Sequence, residues 1–249
     1  MSTAWDNIAN NQASQELIRK LIGTGEIPVP LIAICIPYAN IEVEFIEKVY
    51  IPLKSVPLNF ANKKFCLSKV PSIPVARNAL VKQALEINAD YIFWLDTDHS
   101  FEDPTNPNGF ADPNAALKVL YDTINKDPNS KNDKIISGLY RAKQKSGFPY
   151  SMWMSYQDQG FVPVQEWTGN YIETDVVGLG CCLMDTRIFK DVPKPWFHWD
   201  DTDEISEDFF FLRKVKQYGY NCRILTDIKL SHIGKVKIRC DGTVITPEM

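Results

Sequence analysis

The sequence predicts an α/β fold with a mostly parallel central sheet. Two observations carry that expectation. The first hundred residues alternate extended and helical patterns, an order that places successive strands side by side in parallel through right-handed crossovers. The strands themselves, LIAICIP at Leu31–Pro37 and YIFWL at Tyr91–Leu95, are apolar throughout, as suits strands covered on both faces.

The elements follow in order. Leu17, Ile18, Leu21 and Ile22 recur at helical spacing before GTGE, which predicts a helical extension over residues 1–28. LIAICIP is the first strand. Ile41, Phe45, Val49 and Leu53 then mark a helix, and KKFCLSKV a second strand. PVARNALVKQALEINA is a helix with Pro74 in its first turn, where the missing N–H costs nothing. YIFWLD is the third strand. A loop rich in Pro, Asn, Asp and Gly spans Glu102–Asn114, followed by a helix over Ala115–Asn125, a surface turn at DPNSKND and a strand at KIISGLY. Residues Gln144–Gly169 are aromatic without clear period. YIETDVVGLGCCLMD has the pattern of two extended pieces broken at Gly178 and Gly180. SEDFFFLRKVKQYGY has a helix start at Ser206, acids in the first turn and a stop at Gly219. NCRIL and IKLSHIG close the chain as short extended segments. No repeat or linker interrupts residues 1–249, so a single domain is expected.

The 249 residues are 45% hydrophobic and 23% charged, ordinary for a soluble globular protein. A net charge of −4 is not the footprint of a nucleic-acid binder. Six cysteines without a C-x-x-C pair predict buried free thiols in a reducing compartment. No signal pattern and no transmembrane segment are legible, so a cytoplasmic protein is expected.

Five groups of residues could carry chemistry. In D-T-D, Asp96 and Asp98 flank Thr97 where a hydrophobic strand ends, the edge at which α/β sheets bind ligands. Two carboxylates so close suit a hard divalent cation, Mn²⁺ or Mg²⁺. In S-E-D, Glu207 and Asp208 lie in a helix's first turn, where one could act as general base and both could simply cap. His232 in LSHIG is a candidate metal ligand, and His99 competes with it. Arg77, early in its helix, could reach a diphosphate, and Arg141 and Lys143 are similar candidates. The glycines of VGLGCC, Gly178 and Gly180, would allow close backbone approach to a ligand or a tight turn.

In order, IPYAN, ARNALVKQAL, ADYIFWLDTD, IISGLYR, DVVGLGCCLMDTRIF, SEDFFFLRKVKQYGY and LSHIG resemble a glycosyltransferase of the GT-A fold, family 2-like, over Leu31–Gly234. That resemblance implies a Rossmann-like three-layer sandwich and a nucleotide-diphosphate sugar donor, such as a UDP- or GDP-sugar. It implies Asp96, Asp98 and His232 as metal ligands. Pro37 and Tyr38 would lie against the nucleotide base, and Arg77, Asp96, Thr97, Arg141, Gly178 and Gly180 would line the donor. Asp208, beside Glu207, would deprotonate the acceptor hydroxyl in an inverting hexosyl transfer. If transfer is retaining, Asp208 would position donor or acceptor. The acceptor would be a glycan or lipid-linked hydroxyl in preference to DNA. Two alternatives stand beside it. One is a nucleotidyltransferase, although IPYANIEVEF lacks the expected Gly- and Lys/Arg-rich loop. The other is a non-catalytic nucleotide- or sugar-binding module with Trp153, Trp167, Trp196 and Trp199 as its platform.

Overall fold

Strand β1 (Leu31–Pro37) lies inside the sheet with a parallel neighbour on each side, the position its unbroken apolar run demands. One neighbour, β2 (Asn62–Ser68), sets Cys66 opposite Cys35, and the other, β3 (Tyr91–Leu95), sets Trp94 opposite Cys35. The computed structural model describes residues 29–69, 72–103, 105–106, 109–127, 130–143, 149–156, 160–199, 205–234 and 236–246. Leu31–Met249 forms one compact unit. The helical extension expected over residues 1–28 lies outside the described residues.

The crossover from β1 to β2 is a helical stretch, α1, in three pieces: Val43–Phe45, a π-helical Ile46–Tyr50, and Ile51–Ser55. Phe45, Val49 and Leu53 face the core as their spacing predicts, whereas Ile41 precedes the helix and is exposed. The widened turn has a cause in Pro52, which has no N–H to donate and whose ring crowds the carbonyl one turn back. The crossover to β3 is α2 (Ile73–Glu86), which has Pro74 in its first turn and buries Ala76, Leu80, Val81 and Ala84. Beyond β3 come β4 (His99–Phe101) and α3 (Pro113–Ile124). The carboxylate of Asp112 caps α3 by accepting from the Asn114 N–H at 2.9 Å.

The sheet departs from the expected mostly parallel one. Strand β5 (Ile135–Leu139) is followed by an antiparallel hairpin, β6 (Met152–Tyr156) and β7 (Gly160–Pro163), in the stretch without legible period. Next are β8 (Tyr171–Thr174) and β9 (Val176–Val177), and β9 pairs with β6 in a small second sheet. The excursion turns the chain round, so β10 (Cys181–Asp185) enters antiparallel between β3 and β5. After α4 (Ile188–Asp191) and α5 (Glu207–Gln217), β11 (Cys222–His232) runs parallel to β5. The strand order is β13-β12-β11-β5-β10-β3-β1-β2, where β12 is Lys237–Ile238 and β13 is Val244–Ile245. The molecule is therefore α/β with a mixed sheet.

Strand β11 is one eleven-residue strand where two short pieces are expected. An irregularity between Leu225 and Lys229 divides its work. The first half pairs with β5 and β8, and the second pairs with β4 and β12. Helices cover both faces of the sheet. Ala33 and Cys35 pack with α2 and α5 residues such as Leu80 and Phe211, while Ile32, Ile34 and Ile36 pack with α1 and α3 residues such as Val49 and Leu117. All six cysteines are free and buried. No helix among the described residues is long and apolar enough to cross a membrane.

Candidate metal and carboxylate site

The D-T-D segment is pinned by its backbone and by Thr97. The Asp96 N–H donates to the Gly180 carbonyl at 3.1 Å, and the Ile233 N–H donates to the Asp98 carbonyl at 2.6 Å. The Thr97 hydroxyl donates to the Asn40 carbonyl at 2.7 Å. Segments that follow β1 and β11 and precede β10 thus converge on the end of β3. The carboxylates of Asp96 and Asp98 then go to different partners.

Asp96 belongs to Arg77. The Arg77 side chain is 3% exposed and its guanidinium spans two acids. Nη2 donates to Asp96 Oδ1 at 3.1 Å and Nε donates to Glu207 Oε1 at 3.1 Å. The Trp94 ring lies 5.1 Å from the guanidinium carbon, within cation–π range. Burial opposes the arginine's charge, but Asp96, Glu207 and Asp208 outweigh it and raise its pKa further. Arg77 thereby ties the end of β3 to the first turn of α5. Expected against a diphosphate, Arg77 has Nε and Nη2 on two protein carboxylates and Nη1 buried without a hydrogen-bond partner.

Asp98 belongs to two imidazoles. Its Oδ2 lies 2.8 Å from His232 Nε2, and its Oδ1 lies 3.0 Å from His99 Nδ1 without hydrogen-bond geometry. The antiparallel register of β4 and β11 sets His99 opposite His232, and the rings stack at 4.4 Å. Lys143 Nζ stands 3.5 Å from the same carboxylate and donates to the Ile233 carbonyl at 2.7 Å. One nitrogen or oxygen from each of Asp98, His99 and His232 falls within 4.8 Å of the others. Of the expected set, Asp98 and His232 lie in this group together with His99, whereas Asp96 lies outside it on Arg77.

The donor set fits a cation. His232 Nδ1 faces the Arg141 carbonyl at 3.0 Å, which can only accept, so Nδ1 carries the proton. Burial, and then the nearby His99, lower the His232 pKa and favour the neutral ring. With Nδ1 so fixed, Nε2 faces a carboxylate oxygen of Asp98 2.8 Å away. Either a proton on Nε2 or a cation between the two atoms makes that approach favourable. A ring N–H fixed on a backbone carbonyl is also the usual support of a metal-binding histidine. Both ring nitrogens of His99 are buried without a hydrogen-bond partner, although an unpartnered buried polar atom is costly. Burial works against charge on Asp98, but His99 and His232 overcome it and hold its carboxyl far below the usual range.

Asp208 lies on the other flank, in the first turn of α5. Ser206 occupies the N-cap position, but its hydroxyl bonds the Asp208 carboxylate rather than a backbone N–H. Asp208 Oδ1 also accepts from the Phe209 N–H at 2.9 Å. Burial, followed by the charge of Glu207, pushes its carboxyl up to about 6. Glu207 is buried on Arg77.

The remaining expected residues have definite places. Gly178 and Gly180 are needed for packing: a Cβ on Gly178 would strike the Tyr140 hydroxyl, and one on Gly180 would come within 2.6 Å of His99 Cε1. Tyr140 is the residue sequence reasoning missed. Its hydroxyl accepts from the Gly180 N–H at 2.9 Å and its ring meets His99 edge-on at 4.3 Å. Burial, then the charge of Asp96, keep that hydroxyl protonated. The Arg141 side chain turns away to the Cys240 carbonyl at 3.0 Å, so only its backbone serves the site. Pro37 is buried, and Tyr38 borders an apolar cavity of about 250 Å³ with Tyr50 and Leu67. Of the aromatic platform, Trp153 and Trp196 are buried in the core, Trp199 is exposed and Trp167 is partly buried.

No protein-family model matches the chain, and no curated protein matches it. Among solved structures, the crystal structure of A197 from STIV superposes with a TM-score of 0.58 at 16% identity, over 88% of this chain and 95% of that one. A likeness at that identity shows a shared fold.

Proposed function

We propose that this chain is a metal-dependent glycosyltransferase of the GT-A type, which moves a sugar from a nucleotide-diphosphate donor to an acceptor hydroxyl. The observation that carries the reading is the cluster of Asp98, His99 and His232 at the ligand edge of the sheet, with one nitrogen or oxygen of each within 4.8 Å of the others. Asp98, His99 and His232 would hold the cation. Two imidazoles in the set favour Mn²⁺ over Mg²⁺, which prefers oxygen alone. Such a cation, when bound, neutralises charge on a departing nucleoside diphosphate.

Asp208 serves as the base. With a carboxyl at about 6 it is ionised at neutral pH yet still basic enough to take a proton from an acceptor hydroxyl. Arg77 holds Asp96 and Glu207 in fixed directions. Asp96 keeps 28% of its side chain exposed, which leaves it able to accept a hydrogen bond from a donor hydroxyl. The apolar cavity beside Tyr38 suits a nucleotide base. The chain's net charge of −4 favours a glycan or lipid-linked acceptor over DNA.

Calorimetric titration of UDP and GDP, each with and without Mn²⁺, tests the reading on the wild type and on Asp98→Ala. Binding that needs metal and disappears in the variant is the expected result. Failure of UDP, GDP, CDP and dTDP alike in the presence of Mn²⁺ would overturn it. With a donor in hand, Asp208→Asn should lower transfer about 10²–10⁴-fold.

A further inference from the structure

A second cavity lies behind the metal site. In β4, His99 points to one face and Ser100 to the other, and the pairing sets Ser231 beside Ser100 and His232 beside His99. Glu102 accepts from the Ser231 hydroxyl and from the Cys240 N–H, both at 2.7 Å, so it builds on the face away from the histidines. There it lines a cavity of about 370 Å³.

One wall is an aromatic corner. Tyr150 and Trp167 meet edge to face, centroids 4.8 Å apart and planes at 89°. The Arg141 guanidinium lies 3.9 Å over Tyr150 and is itself tied to the Cys240 carbonyl, so the corner is fixed without a ligand. Asp103, Asp227 and Asp241 also line the cavity. Asp103 accepts from Thr105, Asp227 from Asn170 and Asp241 from Thr243. A carboxylate has room for about four hydrogen bonds, so each is oriented yet keeps acceptor capacity. Lys229 and Arg239 supply donors on the same wall.

This chemistry selects a ligand class. With Glu102 the lining holds four acids against two bases, which disfavours phosphates and nucleotides. A purely apolar ligand would strand the carboxylates. A flat ring with one C–H face and a rim of hydroxyls satisfies both, with its face on the indole and its hydroxyls shared among carboxylates and Lys229. The volume falls at the lower end of the range of about 300–1,000 Å³ for ligand pockets. We propose that this cavity is a second binding site, which takes one or two rings of a neutral saccharide and does so independently of Asp98.

Saturation-transfer NMR on the full chain tests this with maltotriose, cellobiose, chitobiose and mannobiose, and with spermidine as a cationic probe. The expected result is transfer to at least one saccharide. Affinity should fall at least tenfold in Trp167→Ala and stay unchanged in Asp98→Ala. Persistence in Asp98→Ala separates this site from the strand-end site, whatever nucleotides do there. Silence from all four saccharides, equal transfer in Trp167→Ala, or preference for spermidine would overturn the proposal. If circular dichroism shows Trp167→Ala unfolded, Lys229→Ala takes its place. Lys229 is exposed, and its loss should weaken saccharide binding at least threefold; no change would count against the site.

Discussion

Asp96 and Asp98 stand one residue apart at the end of the same strand, yet their surroundings are built on opposite plans. Around Asp96 the protein supplies its own cation: Arg77, buried and shared with Glu207, with Trp94 against it. Around Asp98 it supplies two imidazoles, with the Lys143 ammonium 3.5 Å away. The first arrangement supplies its own counter-charge, with Nη1 of Arg77 left buried without a hydrogen-bond partner. The second gathers one nitrogen or oxygen from each of Asp98, His99 and His232 within 4.8 Å, a set that could hold a cation. The two adjacent acids are thus answered differently, one by a buried guanidinium and the other by imidazoles and an ammonium.

The sharpest way to break this comparison is to remove Arg77. Arg77→Ala leaves Glu207 buried and Asp96 half-buried without their counter-charge, and should cost about 3–5 kcal/mol in urea denaturation. Arg77→Lys should fall between it and wild type, because an ammonium cannot reproduce the fork. A loss below 1 kcal/mol would mean that the network is not buried as described. Next in size is Asp98→Ala, which should weaken Mn²⁺ binding at least 100-fold, roughly 2.7 kcal/mol, while Asp96→Asn should change it only a few-fold. Equal losses in the two variants would dissolve the distinction between the two acids.

Gly178→Ala should cost about 1–3 kcal/mol through its collision with the Tyr140 hydroxyl. Tyr140→Phe in the same chain should recover part of that loss, measured as a double-mutant cycle. The smallest effect expected is at Asp208. Its carboxyl is raised to about 6 in the folded chain, so between roughly pH 4 and 6 the native state holds a proton that the unfolded chain has released. This group's contribution is greatest below about pH 4 and is lost as pH rises through 6. Asp208→Asn should therefore stabilise the protein by about 1–2 kcal/mol at pH 8 and by nothing at pH 4. A gain that does not vary with pH would place its cause elsewhere.

The elements that positioned the site were legible where a local signal and burial agreed. The runs that became β1 and β3, the start of α2 with Pro74 in its first turn, and the Gly219 stop of α5, at φ +84°, all follow from residue type. What escaped depended on partners distant in sequence. Strand β10 is as apolar as a parallel strand, and nothing in CCLMD shows the direction from which the chain enters. In the hairpin of β6 and β7 the consecutive Met152 and Trp153 are both buried, so no period of two stands out. The grouping of His99 with Asp98 and His232, apart from Asp96, was equally hidden. It depends on an arginine nineteen residues upstream of Asp96, and on a strand register that brings residue 232 opposite residue 99. Ser206 stood where a cap was expected, but a carboxylate two residues on offered its hydroxyl a charged partner in place of a backbone N–H.

Arg141 serves two places with different atoms. Its carbonyl fixes the tautomer of His232, and its guanidinium props Tyr150 from behind. A backbone atom is retained under any substitution that preserves the local path, while a side chain can be exchanged freely. Mutation at position 141 can therefore remodel the rear cavity and leave the histidine's proton where it is, so that the ligand preference of one face can drift while the chemistry of the other stays constant.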